Sequence, residues 1–425
     1  MSRILPLLLL ALLAATACSD DEKSTLAPAN NDGDTNNGDT NNGTNNGDLD
    51  AGNNGADDTG GNNGAEDTSA DAEPDVPTGP WADLLSAGPW HVGFRTSSVT
   101  YRPDGYDADR TLRVVTWYPT ADTTGTQSFY GGLIARPQAF SNATVGLDAP
   151  APLMIFSHGN GGFAEQSYFL AEYMASHGWV VVAFDHSGNT YADNPPFPGG
   201  SLYFDLRPQD VSAALDATLA LPQADALYGM IGDDIVMAGH SFGGYTTLAV
   251  AGATYDVDGM LAACEGQTEA FCTVLDQSRE RWRAGYRDDR IDVAIPMTPA
   301  GALVFAEGLA DLPIPTFLMT ATLDATLPEV NEGDPIWSYM DGPDERRLVL
   351  ATAGHYTYSD ACAILAALGE NDGCGDIFID PAEAHQVINA LVMAFARRHL
   401  YGESRFDPLL DGTESLHEGA AVLKH

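Results

Sequence analysis

Short apolar runs that alternate with helical patterns constrain this chain more than any other feature. Three runs are almost continuously apolar, as expected of parallel strands buried on both faces: Pro152–Ser157, Trp179–Phe184 and Ile235–Ala238. Further strands are predicted at His91–Tyr101, Leu112–Tyr118, Ile291–Pro296, Ile314–Met319 and Arg347–Leu350. Helices are predicted at Glu165–His177, Pro208–Leu221, Phe242–Ala251 and Ala382–Tyr401. The alternation predicts one α/β domain with a mostly parallel, doubly wound sheet and helices on both faces.

The first residues have the composition of an export signal. Arg3 precedes the apolar run Ile4–Ala17, which is too short to span a bilayer comfortably and is typical of a signal peptide. Ala15 and Ala17 fit an ordinary signal-peptidase site, and the same stretch, ending in Cys18, resembles a lipobox. We therefore expect residues 1–17 to be a signal peptide and Cys18 to carry lipid on a bacterial outer membrane. Simple secretion is the alternative, because the usual lipobox has Leu where this chain has Ala15.

The segment from Cys18 to about residue 80 lacks the apolar residues of a folded domain. It consists mainly of Asn, Gly, Asp and Thr, and the unit Asn-Asn-Gly recurs along it. Such a segment cannot bury enough apolar surface to offset the entropy of ordering its backbone. We expect residues 18–80 to be a disordered tether and residues 81–425 to form the folded domain.

The charge of the chain excludes some partners. The formal net charge is −41 at pH 7, whereas nucleic-acid phosphates are bound by clustered Lys and Arg. We expect no nucleic-acid partner, a soluble monomeric domain, and membrane contact only through the lipid on Cys18.

Four cysteines follow Cys18, and an exported protein can oxidise them. Three connectivities are possible. We expect Cys264–Cys272 and Cys362–Cys374, because each pair closes a short loop. Four buried free thiols are the alternative.

A serine nucleophile is predicted at the turn that follows one of the buried strands. The sequence Gly239-His240-Ser241-Phe242-Gly243-Gly244 lies between the strand Ile235–Ala238 and a predicted helix. In this strand–turn–helix context the G-x-S-x-G pattern indicates a nucleophilic serine, because the sharp turn requires small residues and exposes the serine side chain.

An acyl-transfer nucleophile also needs hydrogen-bond donors for the developing oxyanion. The N–H of Phe242, just after the nucleophile, is one expected donor. The second is expected from the loop Phe156–Gly162, which reads Phe-Ser-His-Gly-Asn-Gly-Gly, with the N–H of Asn160 favoured.

The acid and the base are expected after Ser241, in that order. Asp324 follows the strand Ile314–Met319, and His355 follows the strand Arg347–Leu350. Both therefore lie at the carboxyl ends of strands, where open α/β sheets place their sites. Asp292 is expected at the opposite end of the sheet, and Asp360 follows rather than precedes His355.

The remaining histidines have other predicted roles. His158, His186 and His240 precede the nucleophile and are interpreted as hydrogen-bonding or pocket residues. His158 and His240 have no metal-ligand spacing with a Cys or Asp partner, so we expect no metal. Hydrolysis by a serine nucleophile, a base and an acid needs no cofactor, so none is expected.

These motifs resemble those of bacterial dienelactone-hydrolase-like proteins and of plasma platelet-activating-factor acetylhydrolases, and more distantly those of cutinases and polyester hydrolases. The resemblance spans roughly residues 90–400 and rests on the loop Phe156–Gly162, the segment Ala175–Ala183, the Ser241 turn, and the Asp324 and His355 segments. It implies an α/β-hydrolase fold and hydrolysis of carboxylic esters, small or polymeric, with short or accessible acyl groups. True dienelactone hydrolases have Cys as nucleophile, so Ser241 argues against that substrate.

Two other functions are compatible with the same sequence. A Ser-His-Asp triad also hydrolyses peptides and thioesters, although peptidases of this fold commonly carry a large additional N-terminal domain. A catalytically inactive binding protein tethered to a surface is the other alternative, and the intact order of Ser241, Asp324 and His355 argues against it.

Overall fold

The structure is a computed structural model that describes residues 79–193, 200–362 and 372–425. The predicted signal peptide, Cys18 and nearly all of the predicted tether lie outside these residues. The strands are β1 (His91–Tyr101), β2 (Arg110–Thr120), β3 (Gln127–Tyr130), β4 (Ile134–Ser141), β5 (Ala151–Ser157), β6 (Val180–Phe184), β7 (Ile231–His240), β8 (Val293–Met297), β9 (Thr316–Ala321), β10 (Glu345–Leu350) and β11 (Ala420–Lys424). The helices are α1 (Tyr168–Ser176), α2 (Tyr203–Leu219), α3 (Phe242–Ala251), α4 (Val257–Ala263), α5 (Ala270–Ala284), α6 (Ala302–Phe305), α7 (Gly333–Tyr339), α8 (Pro381–Tyr401) and α9 (Asp407–Leu410).

The described strands form one sheet in the order β11-β10-β9-β8-β7-β5-β6-β2-β1-β4-β3. The six central strands from β10 to β6 are all parallel to one another. Antiparallel pairing joins β2 to β6 on one side and β11 to β10 on the other. The mostly parallel sheet expected from the sequence is confirmed, and it brings the carboxyl ends of β5, β7, β9 and β10 to one edge.

Both faces of the sheet are covered by helices, as expected. Along β5, Met154 and Phe156 belong to the core that contains α1 and α8, whereas Leu153 and Ile155 belong to the core that contains α2. Because successive strand residues point to opposite faces, a strand buried on both faces must be apolar at nearly every position. This explains the continuous apolar runs in the sequence.

Helix α2 begins five residues before the predicted start at Pro208. Proline cannot donate a hydrogen bond to the carbonyl four residues earlier, which here belongs to Phe204. The hydroxyl of Tyr245 donates to that carbonyl instead, at 2.9 Å. A side chain from a neighbouring helix thus satisfies the group that the proline leaves free.

The structure contains elements that the sequence pattern did not predict. The C-terminal residues form the edge strand β11, and β3 with β4 forms a hairpin at the opposite edge. Helix α5 lies within the segment Cys264–Arg290 and α4 directly precedes it, and neither helix was predicted. No described helix is long and apolar enough to cross a membrane.

Candidate active site

Ser241 lies at the turn between β7 and α3, in a backbone conformation that side chains rarely adopt. Its φ is 59° and its ψ is −119°, in a sparsely populated region that is retained when the surrounding structure enforces it. The N–H of Ser241 donates to Met297 O on the neighbouring strand at 2.9 Å, and its C=O accepts from Gly244 N–H at 2.8 Å. The turn is therefore fixed by both the sheet and the helix.

The glycines around Ser241 allow close backbone contacts. A Cβ on Gly239 would lie 2.3 Å from Gly243 O, and one on Gly243 would lie 1.9 Å from Ser157 O at the end of β5. A Cβ on Gly244 would lie 2.7 Å from Pro299 Cβ. All three distances are shorter than any side chain tolerates, so the glycines permit the sharp turn and its packing against β5.

His355 and Asp324 lie together at the ends of two adjacent strands. His355 begins a short 3₁₀ helix after β10, and Asp324 lies in the turn after β9. His355 Nδ1 is 2.8 Å from Asp324 Oδ2, and both side chains are buried. Asp324 Oδ1 accepts from Leu327 N–H at 2.6 Å, which orients the carboxylate. A carboxylate at Nδ1 holds that proton and leaves Nε2 free to act as a base.

The other two carboxylates considered from the sequence lie elsewhere. Asp360 Oδ2 accepts from Phe169 N–H at 2.7 Å near the start of α1, and burial raises the pKa of Asp360 to about 8. Asp292 Oδ2 accepts from Ile235 N–H at 2.9 Å, just before β8 and so at the amino ends of the strands. Among the described residues, only Asp324 of these three carboxylates is bonded to His355.

His240 connects the base to the Ser241 turn. Its Nε2 lies 2.9 Å from the backbone oxygen of His355, and the two rings have centroids 4.7 Å apart. Since a carbonyl can only accept, Nε2 carries the proton, and Nδ1 accepts from the Gln166 amide at 2.7 Å. Burial lowers the pKa of His240, so this ring is neutral and structural rather than a second base.

Asp372 was not predicted from the sequence, and it holds the acid and base loops together. Its Oδ1 accepts from His355 N–H at 3.0 Å. Its Oδ2 accepts from Thr326 N–H at 2.8 Å and from Thr326 Oγ1 at 2.7 Å, two residues after Asp324. Its position inside the loop closed by Cys362 and Cys374 is the only sequence signal that could have pointed to it.

The structure joins the four described cysteines in the expected pairs. Cys362 and Cys374 close the loop that carries Asp372, and Cys264 and Cys272 connect the region between α4 and α5. The second pair lies in an aromatic region where Phe271 contacts Phe204, which in turn contacts Phe242. The two bridges therefore support different parts of the molecule.

The loop after β5 lies against Ser241. A Cβ on Gly159 would be 3.4 Å from the Cβ of Ser241. The N–H of Gly159 is bonded to Gln166 Oε1 at 3.0 Å, so the next free amide in the loop is that of Asn160. Within the described residues, neither Asn160 N–H nor Phe242 N–H donates to a protein acceptor. Phe242 is the first residue of α3, where amides have no partner within the helix.

Buried polar groups that the sequence did not single out support this loop. Arg207, at 0% exposure, donates to the backbone oxygens of His158 and Gly159 at 2.7 and 2.9 Å. Gln166 bonds both Gly159 and His240. An arginine at the apolar face of α2, on the side of Val211 and Ala214, is a sequence signal that could have revealed Arg207.

His158, His186 and His240 are all buried in hydrogen-bond networks, consistent with their interpretation. His186 Nδ1 is 2.8 Å from Asp210 Oδ2, and its Nε2 is 2.8 Å from Ser157 Oγ. Burial lowers the pKa of both His158 and His186. Among the described residues, no group of three or more His, Cys, Asp or Glu side chains could hold a metal ion.

Comparisons with known proteins agree with this architecture. Residues 152–260 match the model of a family described as having the alpha/beta hydrolase fold. The chain is 27% identical over 237 residues to Cutinase est1 and 26% identical over 233 residues to Cutinase est2, both from Thermobifida alba. These alignments cover 56% and 55% of this chain, and they span only 61% and 59% of the two relatives.

A solved structure resembles the chain over a longer stretch. It is the ferulic acid esterase from Streptomyces cinnamoneus, with a TM-score of 0.56 and 24% identity, covering 80% of this chain and 99% of that one. At this identity the similarity carries the fold alone. The sheet order, the family match and this structural similarity agree, and the chain has the α/β-hydrolase fold.

Proposed function

We propose that this chain is a serine hydrolase that cleaves carboxylic esters, with Ser241 as nucleophile, His355 as base and Asp324 as the acid that orients the base. The observation that carries the proposal is the 2.8 Å contact between His355 Nδ1 and Asp324 Oδ2. Ser241, at a positive-φ turn, is linked to His355 through the bond of the adjacent His240 to the His355 backbone oxygen. The similar proteins are named cutinase and ferulic acid esterase, and we transfer only the reaction that those names share, the cleavage of an ester.

The proposed reaction has two steps. Ser241 Oγ attacks the ester carbonyl carbon as its proton passes to His355 Nε2, and the carbonyl π electrons move onto the oxygen. The N–H groups of Asn160 and Phe242 are the proposed donors to that oxyanion. Collapse of the intermediate breaks the bond to the alkoxy group, which takes the proton from His355. Water then repeats the sequence on the acyl-enzyme, releases the acid and restores Ser241.

The substrate is proposed as a small or polymeric ester with a short or accessible acyl group. The likeness of the motifs to dienelactone-hydrolase-like proteins and platelet-activating-factor acetylhydrolases supports an accessible acyl group. No metal or cofactor takes part in the proposed mechanism, because the base and the oxyanion donors are all supplied by the chain.

Labelling by a fluorophosphonate, together with turnover of p-nitrophenyl esters of graded chain length, tests the proposal. We expect Ser241→Ala to remove labelling and to lower kcat by about 10⁶-fold, because triad residues act as a unit. Ser338→Ala, which replaces an exposed serine on α7, is the matched control and should keep both. Retention of more than about one part in a thousand of kcat by folded Ser241→Ala would contradict the assignment.

The cellular location is a separate proposal that concerns residues outside the described part of the chain. We propose that residues 1–17 are removed, that Cys18 carries lipid, and that residues 18–80 tether the domain 81–425 to the outer membrane. Ser19 is not an acidic residue of the kind that retains lipoproteins on the inner membrane. Globomycin should block processing, and mass spectrometry should find a lipidated Cys18. A soluble product with an unmodified Cys18 would instead support simple secretion.

A further inference from the structure

Arg207 is a fully buried cation whose donors point at the loop after β5. Its Nη1 donates to His158 O at 2.7 Å, its Nη2 donates to Gly159 O at 2.9 Å, and its Nε donates to Asn189 Oδ1 at 2.9 Å. The planar guanidinium thus fixes two consecutive carbonyls of one loop, a geometry that a flexible ammonium group cannot reproduce.

One of those carbonyls belongs to the peptide unit that contains a proposed oxyanion donor. The C=O of Gly159 and the N–H of Asn160 are parts of the same planar group, and in a trans peptide they point in opposite directions. Fixing the carbonyl therefore fixes the direction of the N–H. His158 strengthens the arrangement: its Nε2 accepts from His186 N–H at 3.0 Å, so Nδ1 carries the proton and donates to Gly159 O at 2.7 Å.

Arg207 also reaches both proposed donor residues by other contacts. The amide of Asn189, whose oxygen accepts from Arg207, donates through Nδ2 to Asn160 Oδ1 at 2.8 Å. The guanidinium carbon lies 4.6 Å from the centroid of the Phe242 ring. A single side chain on α2 therefore supports the loop after β5 and contacts the first residue of α3.

The charge of Arg207 is not neutralised by a direct ion pair among the described residues. Asp210, the acidic group whose charge acts on it, is instead bonded to Arg110 Nε at 2.6 Å, to Tyr101 Oη at 2.6 Å and to His186 Nδ1. Burial lowers the pKa of Arg207 to about 9, which leaves it protonated at neutral pH. A buried cation bonded to a carbonyl polarises the peptide and makes its N–H a stronger donor.

We propose that Arg207 is a positioning residue for the oxyanion hole, which orients and polarises the Gly159–Asn160 peptide so that the Asn160 N–H faces the developing negative charge. The inference rests on the proposed ester hydrolysis at Ser241. Arg207 does not touch the substrate. Its effect is on the transition state, in which the charge develops, and not on the binding of the neutral ester.

Steady-state kinetics of Arg207→Met and Arg207→Lys on a p-nitrophenyl ester test this role. We expect Arg207→Met to lower kcat by about 10- to 100-fold, approaching the effect of losing one oxyanion donor, with KM changed less than about threefold. Arg207→Lys keeps the positive charge and one hydrogen bond, so its kcat should fall less than that of Arg207→Met. Arg95→Met is the control: it removes an arginine of β1 that is paired with Asp225, and it should keep kcat.

The affinity for two ketone inhibitors distinguishes a role in the oxyanion hole from a purely structural role of Arg207. Ser241 Oγ adds to the carbonyl carbon of a trifluoromethyl ketone as its proton passes to His355, and the carbonyl oxygen becomes a tetrahedral oxyanion. The matched methyl ketone binds without that addition. Affinity for the trifluoromethyl ketone should fall in Arg207→Met by the same factor as kcat, and affinity for the methyl ketone should not. If Arg207→Met does not fold, Arg207→Lys and Asn189→Ala should show the same parallel loss, at about three- to tenfold.

Folded variants with kcat within threefold of wild type, or with losses in kcat and ketone affinity that do not move together, would overturn the role of Arg207 alone. A wild-type protein that neither turns over the esters nor binds the trifluoromethyl ketone would overturn the proposed function, and this inference with it.

Discussion

The two sides of the candidate site are held in place by different means. On the oxyanion side, formed by the loop Phe156–Gly162, Arg207 of α2 bonds the loop backbone. Asn189, from the loop after β6, bonds both Arg207 and the Asn160 side chain. The acid–base side is formed by the segments around Asp324 and His355. These segments are held together by the carboxylate of Asp372, which lies in the loop closed by the Cys362–Cys374 disulfide.

This difference follows from the fold. The strand β5 is central, so the loop after it is surrounded by other elements and can be fixed by buried side chains. The strands β9 and β10 lie towards one end of the sheet, next to the edge strand β11. On that side the covalent Cys362–Cys374 bridge adds a constraint to the buried loop residues.

A hydrogen-bond chain connects the two sides behind the nucleophile. It runs from Gly159 N–H to Gln166 Oε1, from Gln166 Nε2 to His240 Nδ1, and from His240 Nε2 to the backbone oxygen of His355. All four residues are buried. We therefore expect the loss of kcat from substitutions on the acid–base side to be larger the more directly the altered residue contacts His355.

The largest effect on the acid–base side is expected from Asp324→Asn. The amide cannot hold the Nδ1 proton as a carboxylate does, so the imidazole adopts the wrong tautomer and kcat should fall by about 10⁴-fold. The matched control is Asp360→Asn. Burial raises the pKa of Asp360 to about 8, so at pH 7 it is protonated and Asn resembles it closely. Steady-state kinetics at pH 7 compare the two variants. A large loss of kcat in Asp360→Asn, with a nearly normal kcat in Asp324→Asn, would show that Asp324 is not the triad acid.

An intermediate effect is expected from Asp372→Ala. The change removes the acceptor shared by His355 N–H and Thr326 N–H, so the acid and base loops can shift relative to each other. Because small misplacements of catalytic groups are costly, kcat should fall by about 10- to 100-fold with Ser241 still in place. Asp376→Ala, at an exposed position in the same region, is the control. Equal kcat values for the two folded variants would show that Asp372 does not hold the site.

The smallest effect on turnover is expected from loss of the disulfides, and it should differ between the two. Replacing either pair by serines should lower the free energy of unfolding by up to about 2–3 kcal/mol, since the closed loops are short. The Cys362/Cys374 variant should also lose a few-fold in kcat, because its loop carries Asp372. The Cys264/Cys272 variant should keep kcat. Denaturant unfolding and steady-state kinetics on both variants check this. Equal kcat values would show that the Cys362–Cys374 bridge supports the site no more than the Cys264–Cys272 bridge does.

Several features of the site could be predicted because they depend on local sequence. The Ser241 turn needs glycines at fixed spacing, and the structure confirms the strand before it and the helix Phe242–Ala251 after it. The positions of Asp324 and His355 directly after strands predict that they lie at the site, and the parallel sheet brings the ends of those strands together. The catalytic roles of the three residues stay predictions until the variants are measured.

The groups that hold the site could not be predicted in the same way. Asp372, Gln166 and Arg207 contact residues distant in sequence, and no local pattern identifies such partners. Helix α2 began earlier than predicted because a hydroxyl from another helix satisfies the carbonyl freed by Pro208. Strand β11 was missed because its short apolar run, Ala420–Leu423, follows a mostly polar segment. Its pairing with the distant strand β10 is visible only in the sheet.

The sequence by itself determined the layered α/β architecture, the Ser241 turn and the order of the candidate triad. These depend on hydrophobic periodicity, on glycine spacing and on chain order, which are properties of nearby residues. The tertiary structure decided how those residues are held, through a buried arginine behind Asn160, a carboxylate between two loops and a hydrogen-bond chain through Gln166 and His240. The physical reason is that hydrogen bonds between distant segments depend on distances that exist only after the sheet has formed.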